Sequence, residues 1–308
     1  MDDGALLLIQ LLNGLQLGVL LFLLAAGLTL TFGIMDFINL AHGSLYMVGA
    51  YFCASITHWS GSFVLGILAA IPLTALVGLL LEVAVVRHLY QRDHLDHVLA
   101  TFGLILCIDT LVHIIWGANG FAIPLPQWLE GQIPLGAGLV FPTYRVLIIT
   151  AGLLIALGLY LLVNHTRLGM RIRAGASNRT MIAALGIDIK LLFALVFALG
   201  ATLAGIAGML ISPITEASIG MGNGIIITAF VVIIVGGLGS IKGAFVAAML
   251  IGFIDTLGRA YLDDLFGLFM SVDAAENSAP AVSAMLIYIL MALVLVVRPQ
   301  GLFPPKVR

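Results

Sequence analysis

The chain has 308 residues, of which 62% are hydrophobic and only 9% charged, with a formal net charge of -2 and a mean hydropathy of +1.19. Soluble domains carry about 25% charged residues, so 13 basic and 15 acidic side chains cannot cover the water-facing surface of a protein this long. A bilayer must take the place of water, and the slight negative charge excludes a nucleic-acid binder, which needs a basic surface to neutralise phosphates. The two cysteines, Cys53 and Cys107, both lie inside apolar runs. They exclude a disulfide scaffold and read as small core residues.

The chain opens on Asp2 and Asp3 and has no basic residue before Arg87. The basic n-region of a cleavable signal is missing, so the first apolar run is predicted to be retained. A membrane-crossing helix needs roughly 20 mostly apolar residues, and about nine runs qualify: 5–32, 40–58, 62–86, 97–117, 143–163, 190–213, 225–241, 243–262 and 283–298. The run 225–241 is short and closes on Gly236-Gly237-Leu238-Gly239, which also suits a half-helix that re-enters. The predicted fold is therefore an all-α polytopic membrane protein, a bundle of about eight or nine transmembrane helices, with residues 1–308 forming a single membrane domain. Gly200, Gly205 and Gly208 follow one another on one span and predict close backbone approach. Two loops stand between spans on one side. The first, 118–142, is rich in Gly and Pro and reads as a turn-laden cap; the second, 259–282, is acidic and ends at Pro280.

Lys and Arg are retained on the cytoplasmic side of short loops. Arg87 and Arg92 lie in the loop 87–96, and Arg167, Arg171, Arg173, Arg179 and Lys190 in the loop 164–190. Arg298, Lys306 and Arg308 lie in the tail and Lys242 in a tight turn, leaving only Arg145 and Arg259 for the other side. Asp2, Asp3, Glu130, Asp263, Asp264, Asp273 and Glu276 show the opposite bias. With an odd number of crossings, this predicts an outside N-terminus and a cytoplasmic C-terminus.

The phosphate cradle G-x-x-x-x-G-K-[ST] is absent, as are H-E-x-x-H and G-x-S-x-G, so ATP, if used, is used by a partner. His88, His94 and His97 lie with Asp93 and Asp96 in a loop that reads as solvated and of mixed charge, not as a metal site. Asp109 and His113, four apart, are expected to form a buried hydrogen-bonded pair; Glu82, near a helix end, is expected to snorkel.

Two stretches stand out. In Thr29–Ser44, Asp36, Asn39 and His42 interrupt apolar sequence at three-residue spacing, and on a helix they would share a face. Polar groups at membrane depth face protein or a water path, so the stretch reads either as the lining of a pathway or as a turn whose side chains cap helix ends. In Thr166–Asp188, Ser177 or Asn178 can cap a short helix whose face is Met181, Ile182 and Leu185 and whose stop is Gly186. Such a helix either lies on anionic lipid heads or docks in a groove on a cytoplasmic partner.

The run Gly27–Tyr51 resembles the opening signature of permease subunits of bacterial branched-chain amino acid ABC importers. Arg171–Ala174 with Ala183–Ile187 resembles their cytoplasmic coupling loop, and Thr101–Gly103, Gly205–Gly208, Gly236–Gly243 and Arg298–Phe303 are similar to the family in the right order. The resemblance implies a permease of the bacterial inner membrane that performs no covalent chemistry and binds no cofactor or metal. It implies a second homologous permease subunit, two cytoplasmic ATPases that use the ATP, and an extracytoplasmic binding protein received by the loops 118–142 and 259–282. Coupling would fall on Arg171, Arg173, Ala174, Asn178, Ala183, Ala184, Leu185, Gly186 and Ile187, and Asn39, His42 and Tyr46 would lie near the path. Branched-chain or other neutral amino acids are the implied substrates. The competing reading is a secondary transporter driven by an ion gradient through Asp109, His113 or Asp255.

Overall fold

The computed structural model of the chain describes residues 3–136 and 139–303; Asp2, Gly138, Lys306 and Arg308 lie outside the described residues. In chain order the helices are α1 (Asp3–Met35), α2 (His42–Ser60), α3 (Phe63–Ala84), α4 (His94–Trp116), α5 (Thr143–His165), α6 (Arg167–Ser177), α7 (Arg179–Ala184), α8 (Ile189–Thr215), α9 (Met221–Gly236), α10 (Ile241–Gly267) and α11 (Val272–Val297). A two-stranded antiparallel hairpin, β1 (Gln132–Gly136) and β2 (Leu139–Pro142), precedes α5. Every predicted apolar run corresponds to one of these helices. In hydrocarbon each backbone N–H and C=O must be satisfied within its own segment, which makes helix the available solution. Seven helices, α1, α3, α4, α5, α8, α10 and α11, are long and apolar enough to cross a membrane.

Helix ends gather at two faces. At the first, a methyl group on Gly33 of α1 would sit 2.9 Å from Gly239 Cα in the α9–α10 turn. There too His94 Nε2 lies 3.5 Å from Asp36 Oδ2, and Leu302 N donates to Val235 O at 2.8 Å. The described basic residues of the loops 87–96 and 164–190 cluster at this end. At the opposite face Phe121 and Ala217 exchange backbone hydrogen bonds of 2.7 and 3.1 Å, and Arg145 Nη1 donates to Asn13 Oδ1 at 2.6 Å. Polar caps fix the helix starts at the basic face: Asp188 Oδ1 accepts from Lys190 N and Leu191 N, and Ser240 Oγ accepts from Gly243 N.

Small residues set the packing at the centre. Gly14 and Gly18 of α1 meet Gly252 of α10, where a methyl group would come within 2.5 Å of Gly14 O. A methyl group on Gly49 of α2 would sit 2.5 Å from Gly205 Cα, and one on Gly208 would sit 2.0 Å from Tyr46 O. Van der Waals contact between close backbones is what holds helices together where lipid removes the hydrophobic driving force.

Several expectations are corrected. The loop 259–282 is mostly helical, since α10 runs on to Gly267 and α11 starts at Val272 with Pro280 inside it. The stretch before the apolar run contains Ala274, Ala275 and Ala279, strong helix formers, with Asp273 complementing the helix N-terminus. The cap 118–142 contains the β-hairpin, whose register the alternation of side chains in so short a segment does not announce. Asp109 and His113 make no pair: Asp109 Oδ2 accepts from Asn223 Nδ2 at 3.4 Å, and His113 is exposed. Glu82 does not snorkel. It is fully buried because Arg87 bonds it in bidentate fashion at 3.3 and 2.9 Å and the Tyr90 hydroxyl donates to it. His97 is buried against Phe37 instead of solvated, and Cys107 is exposed where Cys53 is buried.

Candidate functional site

Asp36, Asn39 and His42 do not share a helical face. Helix α1 stops at Met35, Asp36 takes a φ of 49°, and no helix forms again until His42. The connecting segment climbs along α4: Asp36 faces His94, Phe37 stacks on His97 with ring centroids 4.5 Å apart, and Leu40 N donates to Thr101 Oγ1 at 3.3 Å. His42 Nε2 then reaches Leu24 O at 3.2 Å. Leu24 stands eleven residues before Met35, a rise of about 16 Å along α1. Helix α2 therefore begins well inside the bundle, beside the middle of the long α1.

Helix α9 begins at a similar depth from the other side. The chain leaves α8 at Thr215, Glu216 takes a φ of 63°, Gly220 one of 77°, and α9 starts at Met221. Its first turn meets that of α2, with a methyl group on Gly222 only 2.0 Å from Gly43 O. Two helix N-termini, each with positive dipole character, thus abut inside the bundle. Neither carries a side-chain cap. Irregular backbone at membrane depth is tolerated where protein buries it, and Phe37, Asn39 and Ala41 are each at most 2% exposed.

Polar atoms at this junction lack protein partners. Both amide atoms of Asn39, Nδ1 of His42 and Oγ of Ser44 are buried without a hydrogen bond. Because His42 Nε2 faces a carbonyl, it is the donor of that bond. Buried polar atoms are normally satisfied, and four of the ten unpartnered ones among the described residues gather at this junction. Tyr46, one turn on, is buried against the Gly208 side of α8. Of the residues named for the path, all three lie in the core of the bundle.

The basic loop forms two helices. Thr166 Oγ1 accepts from Gly169 N at 3.0 Å to start α6, and Ile172 and Gly175 turn inward. Arg171, Arg173 and Ala174 are exposed on α6. Asn178 Oδ1 accepts from Met181 N at 2.9 Å to start α7. That helix ends as a Schellman motif, in which Ile187 N donates to Ile182 O, Gly186 N donates to Ala183 O, and Gly186 takes a φ of 82°. Ile182 is buried, whereas Met181 and Leu185 are 62% and 75% exposed. Ala183 and Ala184 are exposed beside them and Ile187 is half-buried. The sequence foresaw α7 and its stop. It missed α6, for which Thr166 with Gly169 and the buried spacing of Leu168 and Ile172 were the available signal.

Other ionisable groups are engaged locally. Asp255 holds Arg259 one turn away through contacts of 3.0 to 3.1 Å. Outside the spans, burial and the Glu82 carboxylate raise the Tyr90 phenol above its ordinary range, so it stays a neutral donor to Glu82.

A family model described as branched-chain amino acid transport system, permease component, matches residues 10–295. The chain belongs to this family. The permease is 32% identical to the high-affinity branched-chain amino acid transport system permease protein BraD of Pseudomonas aeruginosa, over 84% of this chain and 87% of that protein. It is 28% identical to the corresponding protein LivH of Salmonella typhimurium, over 95% and 94% of the two chains. It also matches the permease protein LivM of Escherichia coli at 28% identity, over 94% of this chain and 68% of that longer one. No solved structure matches the permease.

Proposed function

We propose that this permease is one of two homologous membrane subunits of an ATP-driven importer in the bacterial inner membrane, carrying branched-chain and similar neutral amino acids. The observation that carries the reading is the basic two-helix loop of a chain in this family: it presents Met181 and Leu185 unburied on a helix capped by Asn178. Apolar side chains held out on a short rigid helix suit a groove on a partner. That partner is a cytoplasmic ATPase, one for each membrane subunit, and the basic face is the cytoplasmic one, with the N-terminus outside. The permease itself contributes no covalent step and no cofactor. Arg171, Arg173, Ala174, Asn178 and Ala183–Ile187 pass the ATPase motion into α5 and α8, between which the loop is anchored.

The junction of α2 and α9 is the element proposed to move. In the packed arrangement Gly43 and Gly222 close it. Their separation would expose Asn39, His42 and Tyr46 to a passing zwitterion, whose carboxylate the two helix N-termini attract. An extracytoplasmic binding protein delivers the amino acid to the face formed by the β-hairpin and the α10–α11 turn.

Replacing Met181 and Leu185 together by serine tests the loop. The expected result is loss of the ATPase from the detergent-purified complex while the two membrane subunits still co-purify. Full retention of ATPase with undiminished ATP-driven uptake would remove the loop from the coupling role.

A further inference from the structure

Two adjoining cavities lie against the basic face and differ in chemistry. One, of about 480 Å³, opens between α5 and α10 and is walled by Phe22, Leu153, Leu157, Phe245 and Val246. The other, of about 690 Å³, lies under α6 and contains Arg173, Arg179, Lys242 and Asp36. They share Tyr160, Ile241 and Lys242, so the apolar slot leads directly into the charged chamber.

The cations of the chamber have no carboxylate partners: among the described residues the ion pairs are Arg87–Glu82, His94–Asp36 and Arg259–Asp255. Three cations therefore face one carboxylate, and that carboxylate is turned to His94. Two of the cations fold back onto α5. Arg173 donates to the backbone carbonyl of Val163 at the end of α5, and the Lys242 ammonium stands 5.8 Å above the Tyr160 ring. Leu153, Leu157 and Val246 in the slot are exposed at 37%, 54% and 41%, on helices long and apolar enough to cross a membrane. An apolar groove that rises into an uncompensated basic chamber matches the two ends of one molecule.

From this arrangement we infer that the slot and chamber form a binding site for an anionic phospholipid, its acyl chain between α5 and α10 and its phosphate between Lys242 and Arg173. Through Arg173, the lipid would brace α6 against the membrane. The inference needs only that these residues lie at a membrane boundary and does not depend on what the permease carries.

Native mass spectrometry of the full chain, purified with its co-expressed partners and stripped of lipid in detergent, tests it. The probes are dioleoylphosphatidylglycerol, dioleoylphosphatidylcholine and sn-glycerol 3-phosphate. The expected result is retention of the phosphatidylglycerol at a saturable site, weak retention of the phosphatidylcholine, and no retention of the chainless phosphate. Lys242→Gln should weaken phosphatidylglycerol about fivefold, Lys242→Arg should restore it, and Ala156→Trp, which fills the slot, should displace it. Equal retention of the two lipids by the unaltered chain overturns the inference, as does unchanged retention in Lys242→Gln and Ala156→Trp. So does cross-linking of Leu157→Cys to an introduced cysteine of the second membrane subunit, with copper phenanthroline as the oxidant, which would make the slot a subunit interface.

Discussion

Gly222 and Gly224 stand two residues apart on α9 and have opposite surroundings. A methyl group on Gly222 would meet the Gly43 backbone at 2.0 Å, while one on Gly224 meets nothing within 4 Å. Backbone cannot yield as a flexible side chain can, so overpacking at Gly222 costs about 1–3 kcal/mol or more. Gly224→Ala instead removes unfolded-state freedom in a helix and is worth about 0.5–1 kcal/mol in the stabilising direction. Thermal unfolding in detergent should show a clear loss of Tm for Gly222→Ala and none for Gly224→Ala; equal effects would contradict the close approach of α2 and α9. At Gly186 space is not the constraint, since a Cβ there touches nothing within 4 Å. The φ of 82° is, because L side chains pay about 1–2 kcal/mol in that region and β-branched ones more. Gly186→Val should therefore depress ATP-driven uptake per ATP hydrolysed, and Gly186→Asn, which tolerates this conformation, should keep it. Equal uptake in the two variants would separate the Schellman stop from coupling.

At the scale of elements, each of the nine apolar runs falls on a helix, seven of them long and apolar enough to cross a membrane, because in a bilayer the backbone has few alternatives to helix. What it could not mark was where helices start within the membrane. Asn39 and His42 were conspicuous as polar residues, but helical spacing suggested a continuous face. The backbone instead breaks at Asp36 and does not resume a helix until His42, with Leu40 held by Thr101 on a helix sixty-odd residues away in sequence. Such a long-range contact has no local signature. The same holds for Glu82: a carboxylate near a helix end reads as exposed until Arg87 and Tyr90 fold back onto it. Helix α7 was legible because Asn178 and Gly186 are local cap and stop signals, whereas Pro280 suggested a loop where α11 absorbs it. Orientation belongs to this scale as well. In a Cys53→Ala, Cys107→Ala background, Ser177→Cys should react with an impermeant maleimide only from the cytoplasm and Met270→Cys only from outside. Reaction of both from one side would break the assignment, since α8, α9 and α10 lie between them.

Across the whole molecule, the basic and hairpin faces, the abutting N-termini of α2 and α9 and the family assignment describe the permease component of a transport system. Its interior carries polar groups without partners, and its basic face carries an exposed apolar helix. An ion-gradient transporter would need neither the exposed loop nor a second permease, and Asp255 is already neutralised by Arg259. The most direct test is uptake of radiolabelled leucine into proteoliposomes holding the permease with its co-expressed neighbours and a binding protein. ATP is supplied on the side of the basic face, against an ion gradient without ATP. Uptake that requires ATP and binding protein together is the predicted result; uptake by the chain alone, driven by the gradient, would contradict the account.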